Sequence, residues 1–289
     1  MIYLNGENHL EFTSAFLYND GRGTPMKKKS VGLVLGSGAA RGFAMLPILS
    51  RFREEGITFS GVSGASIGSI IGSYYALYGE TDSLFERVKG KNAGDYLKMM
   101  DPNLPHRSLI QGKSIKKFLS SLFLGDKTFA DTQIPLAICA VDFKAKKPIY
   151  ISEGKLIDAV MASISIPGIF PPYPFRSSAF IDGGALDPVP VRPLMEGPYK
   201  KIIGINLMGT KHTHKYVSRD LFPTLLSTFY MMMEQLAVRK SDKRLFMIDL
   251  NFEPDPVNIL SFFRWQDYYK VGEVWVEKDF EQALSWLTS

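Results

Sequence analysis

The sequence contains a single cysteine, Cys139, among its 289 residues. One cysteine excludes a disulfide within the chain and any metal site built from several thiolates. Because Cys139 lies in the apolar stretch IPLAICAV, we expect it to be a small buried hydrophobic residue. The scarcity of cysteine is typical of a reducing compartment, so the sequence predicts a cytoplasmic protein.

Long apolar runs are also missing. No stretch reaches the roughly 18 uninterrupted apolar residues that a membrane-spanning helix requires. The N-terminal stretch MIYLNGENHLEF lacks the basic start and apolar run of a secretory signal, so none is expected. Hydrophobic residues nevertheless make up 45% and charged residues 22% of the chain. This is the composition of an ordinary globular domain with an ample core.

Positive charge is in moderate excess, with a net charge of +5 and a pI near 9.0. The lysines form short scattered runs and no arginine-rich stripe alternates with aromatic residues, so nucleic acid is not an expected partner. Two interpretations of the lysines stay open: peripheral contact with an anionic membrane, or solvated charges that keep the protein soluble. No metal or other cofactor is expected, and the sequence contains no sign of an oligomeric state.

The order of the predicted elements is that of an α/β domain. Residues 31–35 are a short apolar run bounded by glycine, typical of a buried parallel strand. A helix, a second strand over residues 57–62 and a second helix over residues 67–78 follow with short connections, which implies parallel strands joined by crossovers. Residues 1–30 show no periodicity, so we expect an N-terminal extension followed by one domain of residues 31–289.

The stretch FSGVSGASIGSIIGSYYALY, residues 59–78, contains a serine between two glycines. Ser66 lies in a G-x-S-x-G pattern between a predicted strand and a predicted helix, which is the setting of a nucleophile elbow. Small neighbours such as Gly64 and Gly68 let the serine oxygen stand clear of a sharp turn. The helix also directs its N-terminal amides towards the reacting centre. The alternative is a serine whose hydroxyl merely caps the helix.

A second glycine-rich turn, LGSGAARG at residues 35–42, also lies between a strand and a helix. Consecutive small residues let several N–H groups converge on one point, as a developing oxyanion requires. The predicted donors are three successive amides, those of Ser37, Gly38 and Ala39. A dinucleotide-binding fingerprint is the rival, because the glycines have a similar spacing. It needs an acidic residue at the end of the next strand, where this chain has the stretch SGAS, so we reject it.

A base for Ser66 is expected in the stretch FIDGGALDPVPV. Gly183 and Gly184 would let a turn bring the carboxylate of Asp182 into a crowded site, and the apolar residues before it indicate a buried strand end. A carboxylate that acts alone on a serine needs a partly desolvated site to raise its basicity. The alternative is an ordinary Asp-Gly turn without a catalytic role.

Histidine is scarce, with 4 residues in the chain. A Ser-Asp-His triad in the α/β-hydrolase order would use Ser66, Asp182 and then His212 or His214. These histidines lie in the polar stretch GTKHTHKY, which is typical of an exposed loop. In an α/β-hydrolase the oxyanion loop and the elbow lie on non-consecutive strands, whereas here adjacent strand–helix units carry them, so a different architecture is indicated.

Taken together, these blocks resemble the patatin-like phospholipase family, especially its bacterial members and the related neuropathy-target-esterase type of lysophospholipase. In chain order the blocks are the glycine-rich turn (36–42), the serine turn (64–68), the proline block ASISIPGIFPP (162–172) and the D-G-G block (182–184). The resemblance implies a three-layer α/β/α fold with a mostly parallel central sheet. Weaker similarity continues from residue 200 to about residue 285.

The resemblance also implies a Ser–Asp dyad without histidine, with Ser66 as nucleophile, Asp182 as general base and the glycine-rich turn as oxyanion hole. Arg41 is expected to brace that turn or to meet a lipid phosphate. The remaining supporting positions are Gly36, Gly42, Gly64, Gly68, Gly183 and Gly184. The implied substrate is the carboxyl ester of a lipid such as a phospholipid or lysophospholipid. A lipid-binding protein without catalytic activity is the second alternative, although it would have no use for both Ser66 and Asp182.

A lipid substrate would need an apolar channel for its acyl chain. Three apolar stretches are the candidate walls: GIFPPYPF (168–175), LFPTLLSTFYMMMEQL (221–236) and ILSFFRWQDYY (259–269). The prolines of the first stretch predict irregular structure there. The methionines at residues 231–233 suit an adaptable apolar surface, but at helical spacing they also suit the core.

Overall fold

The computed structural model describes residues 30–91, 94–95, 101, 108–175, 177–209, 220–237, 242–252 and 261–289. The predicted N-terminal extension, apart from residue 30, lies outside these ranges, as do all four histidines. The proposed triad members His212 and His214 are therefore outside the described residues.

Eight strands and several helices alternate along the described part of the chain. The strands are β1 (Val31–Leu35), β2 (Gly61–Ala65), β3 (Leu136–Asp142), β4 (Lys147–Ile151), β5 (Tyr173–Phe175), β6 (Ser178–Asp182), β7 (Lys201–Asn206) and β8 (Leu245–Asp249). The helices are α1 (Met45–Glu54), α2 (Ile67–Tyr78), α3 (Asp82–Lys89), α4 (Lys113–Leu119), α5 (Leu156–Ser163), α6 (Arg192–Met195), α7 (Leu221–Leu236) and α8 (Trp265–Thr288). Short 3-10 turns at Ala39–Ala44 and Gly183–Ala185 follow β1 and β6.

The strands form one sheet in which each strand pairs with the next in the series β5-β6-β3-β2-β1-β7-β8. Strand β4 pairs with one edge of β3, and β2 and β6 pair with successive parts of its other edge. Strands β3, β2, β1, β7 and β8 run parallel to their neighbours in that series. Strands β4, β5 and β6 add the antiparallel pairs. The expectation of a mostly parallel central sheet is confirmed.

The sheet is covered on both faces, as the residues of β1 illustrate. Leu33 and Leu35 point into the larger apolar core, with α1, α2, α5 and α8. Val34, between them, points into a smaller core on the other face, with Leu194 of α6 and Ile202 of β7. A strand buried on both faces loses the apolar–polar alternation of a surface strand, which is why β1 is a continuous apolar run. The α/β/α layering is confirmed.

Two predicted boundaries differ from the structure. The second strand was expected from residue 57 but begins at Gly61, because Phe59 turns into the core against the rings of Phe52 and Tyr75. The proline-rich stretch was expected to be irregular, yet Tyr173–Phe175 is the edge strand β5. An edge strand tolerates proline, since one of its sides needs no N–H donors. Across the described residues, no helix combines the length and apolarity needed to cross a membrane.

Candidate active site

The register of β3 brings Ser66 and Asp182 together. β2 pairs with β3 as far as Ala65, which lies opposite Cys139. From the next residue, Ala140, β3 pairs with β6, and Asp182 lies opposite Ala140. Because β4 occupies the other edge of β3 where these two pairings meet, β2 and β6 must share one edge. Two residues that are 116 positions apart in the sequence thus meet at one point of the sheet.

Ser66 occupies a sharp turn between β2 and α2. Its backbone has φ 52° and ψ −123°, a region that non-glycine residues rarely adopt and that costs roughly 1–3 kcal/mol. A side chain at Gly64 would collide with the carbonyl of Gly68, and one at Gly68 would collide with the carbonyl of Leu35. The flanking glycines of the pattern are therefore required by backbone contacts, which the sharpness of the turn creates.

The Ser66 hydroxyl donates a hydrogen bond to Asp182, with 2.6 Å between Oγ and Oδ2. The other carboxyl oxygen, Oδ1, accepts from the Gly184 amide at 2.7 Å. Ser66 is 5% and Asp182 1% exposed. Burial raises the pKa of the Asp182 carboxyl from 3.8 to about 7, while the hydrogen bonds from Ser66 and Gly184 act in the opposite direction. A buried carboxyl with such a pKa can accept and return a proton near neutral pH.

The end of α5 holds both partners of this pair. The Ser66 amide donates to the hydroxyl of Ser163 at 2.9 Å, and that hydroxyl donates to the carbonyl of Cys139 at 2.7 Å. The Asp182 amide donates to the carbonyl of Ser165 at 2.9 Å. Sequence reasoning assigned no role to Ser163 or Ser165. The only available signal was their place in the proline block ASISIPGIFPP.

The glycine-rich turn lies beside this pair, and its amides differ in whether they donate a hydrogen bond within the described residues. The Ser37 amide donates to the carbonyl of Pro188 at 2.8 Å, so the prediction that Ser37 contributes an oxyanion donor does not fit this geometry. The amides of Gly38 and Ala39 have no acceptor among the described residues. Ala39 has φ 48°, and a Cβ at Gly38 would lie 2.6 Å from the Cβ of Leu207.

The Ser37 hydroxyl approaches the turn that follows Asp182. It is fully buried and has no hydrogen-bond partner in the described part of the chain. A Cβ at Gly184 would lie 2.6 Å from this oxygen and would collide with the Met233 side chain. Gly183 is equally confined, because a Cβ there would collide with the carbonyl of Cys139. The D-G-G block therefore needs its glycines for close packing.

The Arg41 side chain points into the protein and contacts residues outside the glycine-rich turn. The side chain is 5% exposed, and its Nη1 donates to the carbonyl of Leu207 at 3.1 Å. The guanidinium also stands over the rings of Tyr230 and Phe252, at 5.6 Å and 5.2 Å from their centroids. Of the two roles expected for Arg41, this placement fits bracing of the turn and not contact with a lipid phosphate.

The capacity of the site to hold a metal ion depends here on the residues that the structure describes. Within them, no group of three or more His, Cys, Asp or Glu side chains is placed to hold a metal ion. The thiol of Cys139 is buried, and burial holds its pKa well above 9.0. Cys139 serves the site through its backbone carbonyl, which accepts from Ser163.

Two known proteins are similar to part of this chain. An uncharacterized NTE family protein of Mycobacterium tuberculosis is 30% identical over 181 residues, which are 63% of this chain and 50% of that protein. A lysophospholipase of Aspergillus oryzae is 32% identical over 162 residues, 55% of this chain and 10% of that protein. The chain thus spans about half the length of the mycobacterial protein and about a tenth of the length of the fungal one.

A solved structure supports the fold. VipD from Legionella pneumophila superposes with a TM-score of 0.54 at 14% identity, over 86% of this chain and 67% of that chain. The family model of patatin-like phospholipases matches residues 33–195, a range that contains both glycine-flanked turns, the proline block and Asp182. The resemblance seen in the sequence is confirmed, and the chain belongs to the patatin-like phospholipase family.

Proposed function

We propose that this protein is a serine acyl hydrolase that cleaves carboxyl esters of lipids, with Ser66 as nucleophile and Asp182 as general base. The observation that carries the proposal is the 2.6 Å hydrogen bond from the Ser66 hydroxyl to a buried carboxyl. The pKa of about 7 that burial gives this carboxyl makes it a far stronger base than an exposed aspartate. Family membership and the relatives named lysophospholipases support the lipid ester as substrate.

The reaction follows from these two groups. Ser66 Oγ bonds to the ester carbonyl carbon while its proton passes to Asp182 Oδ2. The tetrahedral oxyanion then collapses, the bond to the alcohol breaks, and the alcohol takes the proton from Asp182. In the second half, a water molecule gives its proton to Asp182 and attacks the acyl-enzyme. The fatty acid leaves, and Ser66 regains its proton.

The oxyanion hole is assigned to the amides of Gly38 and Ala39. In the described part of the chain these two amides have no acceptor, whereas the Ser37 amide is bonded to Pro188. The Ser66 amide is likewise occupied, by Ser163. Donors that are fixed before the reaction stabilise a developing oxyanion at no cost of reorganisation.

Aromatic side chains pack next to the turn and are the candidate wall for an acyl chain. Phe43 lies in the 3-10 turn that begins at Ala39, and its ring lies 6.3 Å from that of Phe262 and 6.5 Å from that of Trp265. These aromatic residues come from the stretch 259–269, one of the predicted channel walls, of which residues 261–269 are described.

Helix α7 supports peripheral contact with a membrane. Five of its described apolar side chains are exposed, namely Leu221, Leu225, Met231, Met232 and Leu236, at 76%, 59%, 56%, 57% and 47%. The spacing of all but Met231 puts them on one face of the helix. The charged residue of this helix, Glu234, is buried. Met233 is buried and packs against Gly184. We propose that the apolar face of α7 meets the lipid surface beside the active site, and the net charge of +5 favours anionic lipids.

The dyad is tested by p-nitrophenol release from acyl esters of short and medium chain length. We expect Ser66→Ala and Asp182→Asn to be inactive, and a double variant with alanine at His212 and His214 to stay active. A folded but inactive histidine variant would instead establish a triad. A wild type that is inert on every ester, phospholipid included, would favour a lipid-binding protein.

Membrane contact is tested separately, by sedimentation with anionic liposomes. We expect Leu225→Glu to reduce the bound fraction and Thr228→Glu, on the same exposed face of α7, to reduce it less. Equal binding of wild type and Leu225→Glu would contradict the assignment of this face. The result is independent of p-nitrophenol release, which needs no membrane.

A further inference from the structure

We infer that Ser163 is a positioning residue for the proposed reaction: its hydroxyl fixes the backbone of Ser66 and so holds the Ser66 oxygen on Asp182. The inference rests on the proposed roles of Ser66 and Asp182. Ser163 is the last residue of α5 and is fully buried.

The hydroxyl of Ser163 is oriented by its two partners. A serine hydroxyl has one proton to donate and lone pairs to accept. The proton of Ser163 goes to the carbonyl of Cys139 at 2.7 Å, so a lone pair faces the Ser66 amide at 2.9 Å. The bond to Cys139 thereby forces Ser163 to act as an acceptor towards Ser66.

Ser66 needs such an acceptor because its backbone is strained. At φ 52° and ψ −123° the turn would relax if nothing held it, and relaxation would swing the Cα–Cβ bond and carry Oγ away from Asp182. The carbonyl side of Ser66 is held by Ser69, whose amide and hydroxyl both donate to it, at 2.8 Å and 2.6 Å. The amide side is held by Ser163.

The same helix end also fixes the base. Two residues after Ser163, the carbonyl of Ser165 accepts from the Asp182 amide at 2.9 Å. The end of α5 therefore sets the position of Asp182 and, through the Ser163 side chain, the position of Ser66. The inferred role therefore uses the side chain of Ser163 and the backbone carbonyl of Ser165.

The test is a comparison of Ser163→Ala with Ser73→Ala. Ser73 is also fully buried, and its hydroxyl donates to the Ser69 carbonyl within α2 at 2.6 Å, so both variants lose a buried hydroxyl but only one loses the contact to the Ser66 amide. For Ser163→Ala we expect kcat for p-nitrophenyl esters to fall roughly 100-fold with little change in KM, as misplacement of a reacting atom by about 1 Å does. Ser73→Ala is expected to keep the wild-type kcat.

A pH profile separates positioning from a general loss of stability. The Ser66 hydrogen bond lowers the pKa of Asp182, so weakening that bond in Ser163→Ala should move the acidic limb of kcat/KM to higher pH. Among the described residues, the elements packed against β6 and the turn after it also carry ionisable groups on Cys139, Asp142, Asp158, Asp187 and Glu234, and all are unchanged in the variant. A midpoint identical to that of wild type, with a kcat identical to that of Ser73→Ala, would overturn the inference.

Two further variants cover the case in which Ser163→Ala does not fold. Ser163→Thr keeps the hydroxyl and adds a methyl group, whereas Ser163→Cys replaces the oxygen with a slightly larger sulfur that is a weak donor and acceptor. We expect the threonine variant to be more active than the cysteine variant, and equal activity of the two would overturn the inference. If Ser66→Ala retained activity, the proposed function itself would fail, whatever the result at position 163.

Discussion

The two strand-to-helix turns of the site differ in how their backbone groups are used. In the turn after β2, the Ser66 amide, carbonyl and hydroxyl all have partners, namely Ser163, Ser69 and Asp182. In the turn after β1, the amides of Gly38 and Ala39 have none among the described residues. The turn after β2 is hydrogen-bonded on all sides of its strained residue, Ser66, whereas the turn after β1 has two amides that no described residue accepts from.

This difference matches what each turn is proposed to do. A nucleophile must be held in one geometry, since its oxygen has to stay on the base, and a fully bonded backbone achieves this. An oxyanion hole must keep donors unpaired until charge develops on the substrate. Similar glycine-rich sequences at the ends of neighbouring parallel strands thus serve opposite requirements.

The largest effect on activity is expected from crowding the turn after β1. In Gly38→Ala the new Cβ would meet Leu207, and the amides of the turn would shift. Because an oxyanion contact acts in the transition state, we expect kcat for p-nitrophenyl esters to fall about 100- to 1,000-fold with little change in KM. Gly72→Ala is the control, since its Cβ crowds the Val62 side chain away from the turn. A normal kcat in Gly38→Ala would exclude this turn as the oxyanion hole.

The bonded turn is tested by the pH dependence of the reaction. Asp182 acts as a base when it is deprotonated, and its pKa is about 7. We therefore expect kcat/KM to be level above that pH and to fall about tenfold for each pH unit below it. The measurement is the rate of ester hydrolysis from pH 5 to 9 at constant ionic strength. An acidic limb centred near pH 4 would mean that the carboxyl is solvated during turnover.

Much of this site is predictable because its glycines mark steric contacts. Gly64, Gly68 and Gly184 each stand where a Cβ would collide with a neighbouring group, so the turns leave a pattern that can be read in the sequence. The strand β1 is also predictable from the sequence, because burial on both faces requires a continuous apolar run. Asp182 was predicted as the base because it combines an apolar strand end with two such glycines.

The remaining features depend on contacts between distant parts of the chain. Ser163 is 97 residues from Ser66 and 24 residues from Cys139, and nothing local distinguishes it from a polar residue at a helix end. The Ser37 amide looked free because its acceptor, Pro188, lies in a loop beyond the D-G-G block. The local sequence indicates steric limits and the period of a helix or strand. The hydrogen-bond partner of a residue depends on which distant residues the folded sheet brings next to it.

Asp182→Asn should show that burying the ionised carboxyl of Asp182 lowers the stability of the protein. The pKa of Asp182 is raised on folding, so the folded state binds the proton more tightly, and stability is lost as the pH rises from about 4 to about 7. The neutral amide avoids this loss and keeps an acceptor oxygen for Gly184. We expect the free energy of unfolding to rise by up to about 4 kcal/mol above pH 7 and to change little at pH 4. Urea titrations at both pH values measure the difference, and an equal effect at both would contradict the charge-based explanation.

The smallest expected effect comes from replacing serine with alanine at two positions, Ser163 beside the turn after β2 and Ser37 within the turn after β1. Ser163→Ala leaves the Ser66 amide and the Cys139 carbonyl without this partner, and we expect it to lower the free energy of unfolding by about 1–3 kcal/mol. Ser37→Ala removes a buried hydroxyl that has no partner among the described residues, so the penalty for burying that group disappears. We expect stability to rise by about 1 kcal/mol, measured as a higher urea midpoint at unchanged slope. Two fully buried serines at the same site would then respond to the same change with opposite sign, because one is bonded on both sides and the other is not. A loss of stability in Ser37→Ala would show that its hydroxyl has a partner and that the turn after β1 is less open than its amides indicate.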